Sequence, residues 1–158
     1  MVESEQFTEP IFTPTTKADV GHDINMSADQ LVDLIGVEAA NAIRLRTLAV
    51  YQYASQYAAE RGIIIADTKL EFGIVDDEPI VIDELLTPDS SRFWPTDQYH
   101  TGRSQPSFDK QFVRDWLNAS GWDHEPPPPQ LPDDIVRKTS ERYHQAYRQL
   151  TGSELMRF

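Results

Sequence analysis

Helices flanking an antiparallel β-hairpin are the fold class this sequence predicts, and three observations carry it. Apolar residues recur at helical spacing over positions 37–61. An apolar run from Ile63 continues to Val75, meets the acidic turn Asp76-Asp77-Glu78, and resumes over Pro79–Ile82. Two more helical stretches follow, 107–117 and a last one opening at Pro132 and closing at Gly152. With 158 residues, 39% of them hydrophobic, the chain can bury a real core, and it is expected to form a single domain over 1–158.

In chain order, Pro10, Pro14 and Gly21 among Thr13, Thr15 and Thr16 predict an extended opening without regular structure. Ser27 and Gln30 form a capping-box pattern, so a short helix should run through Leu34-Ile35 and stop at Gly36. The long helix over 37–61 should bury Ala40, Ile43, Thr47, Val50, Ala54, Tyr57 and Ala58, and end at Gly62. Ile63–Val75 should then form one continuous strand. If the turn has three residues, Val75 pairs with Pro79 and Glu71 faces Asp83. Leu86–Pro95 reads as a loop. Phe108, Phe112, Trp116 and Leu117 give the next helix its apolar side, with Lys110 and Arg114 together on another. Pro126–Pro129 is a stiff spacer, and Ile135, Thr139, Tyr143, Ala146 and Leu150 are the packing stripe of the last helix.

Composition narrows the function classes. A net charge of -12 argues against nucleic acid and anionic membranes as partners, and no segment approaches the length of a membrane span. Without cysteine there is no disulfide, thiolate nucleophile or sulfur-ligated metal. His22, His100, His124 and His144 show no zinc spacing, and no phosphate-binding glycine loop or nucleophile elbow is present. The opening Met1-Val2-Glu3-Ser4-Glu5 is neither basic nor apolar, unlike a secretory signal, so a cytoplasmic location is expected.

The chemistry concentrates in Asp67-Thr68-Lys69-Leu70-Glu71-Phe72-Gly73. On a regular strand Asp67, Lys69 and Glu71 share one side, about 7 Å apart. Two carboxylates bracketing an ammonium suit a metal-bound polyphosphate and a reacting carboxyl group, though a solvated strand face gives the same pattern. Glu71 facing Asp83 would need a cation between the carboxylates, and Mg²⁺ with nucleotide phosphates fits such oxygen ligands. In the segment 86–95, Arg92 can fork onto an oxyanion, with Asp89, Ser90 and Ser91 beside it. On the residues alone, a capped turn with a surface arginine is the more ordinary reading of the segment. Lys110 and Arg114 offer a second anion contact or are simply solvated.

These residues resemble the phosphoribosylaminoimidazole-succinocarboxamide synthase (SAICAR synthetase) family. The resemblance rests on Ile65–Gly73, which is similar to that family's second signature, and on the blocks 9–17, 83–94 and 107–117, in order along nearly the whole chain. It implies an α+β fold, the larger C-terminal lobe of a two-lobed protein related to ATP-grasp and kinase-like folds. It further implies a ligase of purine biosynthesis that takes ATP, carboxyaminoimidazole ribonucleotide and L-aspartate to the succinocarboxamide, ADP and phosphate.

By position, the resemblance makes Asp67 and Lys69 catalytic and substrate-facing. Lys17, Glu71 and Asp83 fall on the ATP side, with Glu71 and Asp83 as the Mg²⁺ ligands. Asp89, Ser91, Arg92, Lys110 and Arg114 fall on the ribonucleotide side. Family members open with a glycine-rich nucleotide lobe and a first signature that this sequence does not contain. The expectation is therefore a C-terminal half with little activity alone, needing the N-terminal lobe or associating with itself. A noncatalytic nucleotide-binding or assembly module with the same fold, and another ATP-dependent carboxylate–amine ligase, are the competing readings.

Overall fold

The computed structural model describes residues 1–17, 23–108 and 110–155. Gly21 and His22 of the opening segment, and Asp109 within the expected third helix, lie outside the described residues. The elements are α1 (Ala28–Ile35), α2 (Val37–Ala59), β1 (Ile63–Thr68), β2 (Glu71–Val75), β3 (Glu78–Ile82), β4 (Ser91–Pro95), a short 3-10 turn (Thr96–Gln98), α3 (Gln111–Ala119) and α4 (Asp133–Thr151). This is the α+β fold that the resemblance implied. Among the described residues no helix is long and apolar enough to cross a membrane.

The chain divides into two compact units, one of 1–6, 54–69 and 85–158, the other of 7–53 and 70–84. In the first, β1 and β4 pair antiparallel. Ile63 and Phe93 are wholly buried there, and Ala54, Ala58, Ile65, Phe108, Ile135 and Ala146 are buried with them. Burying a side chain the size of Phe93 contributes roughly 1.5–3 kcal/mol. The stripe expected on α4 is seen, with Ile135 and Ala146 buried and Thr139, Tyr143 and Leu150 half-buried. Pro132 caps the start of α4, and Gly152, in the left-handed region at φ 70°, closes it.

In the second unit β2 and β3 form a hairpin. Helix α1 starts at Ser27, whose hydroxyl accepts from Gln30 N while the Gln30 side chain accepts from Ser27 N, the capping box expected. The opening segment is tied by Thr16 N donating to Ile24 O and Met26 N to Pro14 O.

Three strand expectations are corrected. The stretch 63–75 is not one strand: it breaks at Lys69-Leu70, and its halves pair with different partners, β1 with β4 and β2 with β3. Asp67, Lys69 and Glu71 therefore do not line one strand face. The hairpin turn has two residues rather than three. Asp76 and Asp77 both take positive φ (50° and 63°), the backbone of a tight two-residue hairpin turn whose twist matches the strands. Val75 consequently pairs with Glu78 and Glu71 with Ile82, and Asp83 falls one residue past the strand at φ 65°. Finally, 91–95 is a strand rather than loop. Its alternation of buried Ser91, Phe93 and Pro95 with exposed Arg92 and half-buried Trp94 is a regular strand pattern. The expected helix over 107–117 begins later, at Gln111, and Phe108 is buried ahead of it.

Candidate functional site

In the first unit the site grows from an irregularity in β1. Period-two alternation would put Asp67 on the same side as buried Ile63 and Ile65. The pairing register slips between Ile65 and Asp67, so that Ile65 lies opposite Phe93 but Asp67 lies opposite Arg92. The extra residue, Ala66, acts as a bulge and turns Asp67 to the outer face of the strand pair. There Arg92 donates Nε to Asp67 Oδ1 at 2.6 Å and Nη2 to Oδ2 at 3.0 Å, a parallel two-bond fork. On the next pair inward, Thr68 Oγ1 and Ser91 Oγ lie 2.8 Å apart, with Ser91 buried.

The segment before β4 is a tightly tied turn. Thr87 N donates to Ser90 Oγ at 3.0 Å, and Asp89 N and Ser90 N both donate to Thr87 Oγ1 at 3.2 Å. Thr and Ser hydroxyls that bond their own backbone in this way give such turns a fixed shape. Lys69 N donates to Ser90 O at 2.8 Å and fastens the turn to the end of β1. The Tyr143 hydroxyl, from α4, donates to Asp89 Oδ1 at 2.8 Å.

A cavity of about 320 Å³ opens among these elements and the start of α3. Among the described residues three cations line it, Arg92, Lys110 and Arg114, against two carboxylates, Asp67 and Asp89. Ser90, Ser91 and Gln111 add hydroxyl and amide groups. Arg92 is already held by Asp67. Neither Lys110 nor Arg114 has a side-chain hydrogen bond or ion pair among the described residues, which leaves two cations without a protein counter-charge. A cavity of this kind favours an anion with several oxygens.

The structure thus brings Asp67, Asp89, Ser91, Arg92, Lys110 and Arg114 to one cavity. Lys69 meets it through its backbone rather than as a lining side chain. Sequence reasoning missed Gln111, one residue past Lys110 on the same helical turn. It also missed Tyr143, which spacing assigned to packing alone. No local signal could have found Tyr143, because its partner lies 54 residues away.

The second unit carries the other predicted residues. Lys17 forms an ion pair with Glu71, whose side chain is 16% exposed against 67% for Lys17. Glu71 stands at the first position of β2, and Asp83 directly follows β3, next to the Ile82 that pairs with Glu71. Arg46 Nη2 pairs with Glu78 Oε2 at 2.7 Å across the far end of the hairpin. The described residues contain no group of three or more metal-ligating side chains. Magnesium that travels with a nucleotide uses one or two carboxylates and takes its remaining ligands from phosphate and water, so the oxygen donors of Glu71 and Asp83 fit that ion chemically.

An α+β chain with a cavity built on a strand pair and a helix start, lined by Arg92, Lys110 and Arg114, offers a candidate site for a small anion. The chain belongs to the SAICAR synthetase family, whose model matches residues 1–129. It is 56% identical over 153 residues to the phosphoribosylaminoimidazole-succinocarboxamide synthase of Geobacter sulfurreducens, covering 96% of this chain and 52% of that protein. The corresponding synthase of Maridesulfovibrio salexigens is 52% identical, with 97% and 52% covered. Among solved structures, the SAICAR synthase of Saccharomyces cerevisiae complexed with SAICAR superposes with a TM-score of 0.87 at 46% identity, over 99% of this chain and 51% of that one. A SAICAR synthetase in complex with ADP gives a TM-score of 0.74 at 26% identity, over 99% and 57%. The chain spans about half the length of the curated relatives it matches.

Proposed function

We propose that this chain carries part of the active site of an ATP-dependent carbon–nitrogen ligase of purine biosynthesis. The ligase joins carboxyaminoimidazole ribonucleotide to L-aspartate, giving the succinocarboxamide, ADP and phosphate. The observation that carries the reading is the cavity beside β4, where Lys110 and Arg114 stand without counter-charges among the described residues, next to the Asp67–Arg92 fork. A ribonucleotide 5′-phosphate is the ligand group that this arrangement suits best: charge-assisted bonds from Arg92 and Arg114, a point charge from Lys110 and a hydroxyl from Ser91. The SAICAR and ADP complexes of the solved relatives support a ribonucleotide and a nucleotide as ligands of this family.

In this reading the terminal phosphate of ATP passes to the imidazole carboxylate, and the acyl phosphate formed is attacked by the aspartate amine, which expels phosphate. Asp67 orients Arg92 through the two-bond fork, and Lys69 neutralises the reacting carboxylate. Lys17 exchanges its contact with Glu71 for the terminal phosphates, stabilising charge that grows during transfer. Glu71 and Asp83 hold Mg²⁺, which supplies charge neutralisation on the phosphates when bound.

The test is ADP release with Mg²⁺ and ATP while the ribonucleotide and L-aspartate are omitted in turn. It is run on the 158-residue chain alone and together with the other half of a relative's sequence. Release that needs every substrate and appears only with both halves is the expected result. Release that ignores the ribonucleotide or aspartate would point to a different ligase, and no release from the combination would favour a noncatalytic module.

A further inference from the structure

The hydrogen bond from Tyr143 to Asp89 ties the cavity to a helix with no place in the reading above. Helix α4 begins at Asp133, beyond residue 129 where the family-model match ends. Tyr143 is half-buried in the packing stripe of that helix, which limits how far its hydroxyl can move. The backbone of Asp89 is fixed by the Thr87–Ser90 turn. Its carboxylate is not: among the described residues the only bond to it comes from Tyr143, at 2.8 Å.

Asp89 also shares the cavity with Lys110 and Arg114, two cations without counter-charges among the described residues. A carboxylate free to change rotamer in such company pairs with one of them, because opposite charges a few ångströms apart attract even at a solvated surface. That pairing would remove a cation from an incoming phosphate and set a negative charge against it. We infer that Tyr143 is a positioning residue: its hydroxyl holds Asp89 off Lys110 and Arg114 and so keeps the cavity open to a phosphate monoester. This rests on reading the cavity as the site of the ribonucleotide phosphate. It adds that α4, through one side chain, sets the affinity of that site.

Calorimetric titration of the chain with ribose 5-phosphate, and separately with inorganic phosphate, tests the inference in four proteins: unaltered, Tyr143→Phe, Asp89→Asn and the double variant. Tyr143→Phe keeps the ring that packs in α4, and thermal melts confirm that each variant is folded. The expected result is that Tyr143→Phe weakens binding about five-fold, the competition that one newly formed, solvated ion pair offers to an incoming anion. Asp89→Asn should bind at least as tightly as the unaltered chain, and adding Tyr143→Phe to it should change nothing. An equal loss in both backgrounds would make Tyr143 merely structural and overturn the inference, as would no loss in either. Failure of the unaltered chain to bind either phosphate would instead remove the reading of the cavity itself, and the inference with it.

Discussion

Replacing Arg92 with glutamine keeps most of the side chain's length and removes its charge, which separates two roles that the Asp67–Arg92 fork could play. The pair is bidentate, with bonds of 2.6 and 3.0 Å, but both side chains are about half exposed, 57% for Asp67 and 54% for Arg92. Water screens such a pair, and the coupling between the two groups should be about 0.5–1 kcal/mol, the upper part of the range for exposed pairs because the geometry is good. Anion binding should respond far more strongly. Loss of a charge-assisted contact to phosphate costs about 1.5–3 kcal/mol, or roughly ten- to hundred-fold in affinity. Urea unfolding of the unaltered chain, Arg92→Gln, Asp67→Asn and the double variant gives the coupling, and calorimetric titration with ribose 5-phosphate gives the affinity. Asp67→Asn should leave Arg92 less well oriented and weaken phosphate binding a few-fold, less than loss of the guanidinium itself. A coupling above about 2 kcal/mol would mean the fork is a structural clamp. Arg92→Gln binding phosphate as well as the unaltered chain would refute the assignment of Arg92 to the ligand.

Three further outcomes follow from the fold. Phe93→Ala, at a wholly buried site, should destabilise the chain by about 3–5 kcal/mol in urea unfolding, while the same change at half-buried Trp94 should cost clearly less. Asp77→Gly should stabilise by about 0.5 kcal/mol in the same assay, since φ of 63° suits glycine better than aspartate. The carboxyl of Asp134 is held below its usual range chiefly by the hydrogen bond from Lys138 Nζ, at 3.1 Å. A carboxylate depressed in the folded state adds stability at neutral pH and loses it as the pH falls through the folded-state value, below the ordinary carboxylate range. Lys138→Met should therefore move the Asp134 titration upward, measured by carbon-13 NMR of its carboxyl group.

The helices were legible because their signals are local. The Ser27–Gln30 box, the stripe of α4 and the closing Gly152 each act within a few residues, and each stands where the pattern put it. Strand pairing was less legible, because register depends on single residues. One residue fewer in the turn moved Asp83 from opposite Glu71 to beyond the strand end, and one extra residue at Ala66 turned Asp67 outward. Strand β4 was hidden by Ser91 and Pro95 within it and by Pro88 and Ser90 just before it, although Phe93 and Trp94 are strong strand formers and Pro95 is tolerated at a strand end. For the candidate site, residue types and the four sequence blocks indicated Asp67, Ser91, Arg92, Lys110 and Arg114, and these do meet at one cavity. Their partnership is a tertiary fact. The fork between Asp67 and Arg92 and the reach of Tyr143 to Asp89 span 25 and 54 residues, and no periodicity encodes contacts of that range.

The most direct test of the central claim is a titration of the nitrogen-15-labelled chain with carboxyaminoimidazole ribonucleotide, followed residue by residue by NMR. The account predicts saturable shifts concentrated at Ser90, Ser91, Arg92, Lys110, Gln111 and Arg114, lost in Arg114→Ala. Saturable shifts elsewhere with these residues unmoved, or no shifts at all at millimolar ligand, would contradict it.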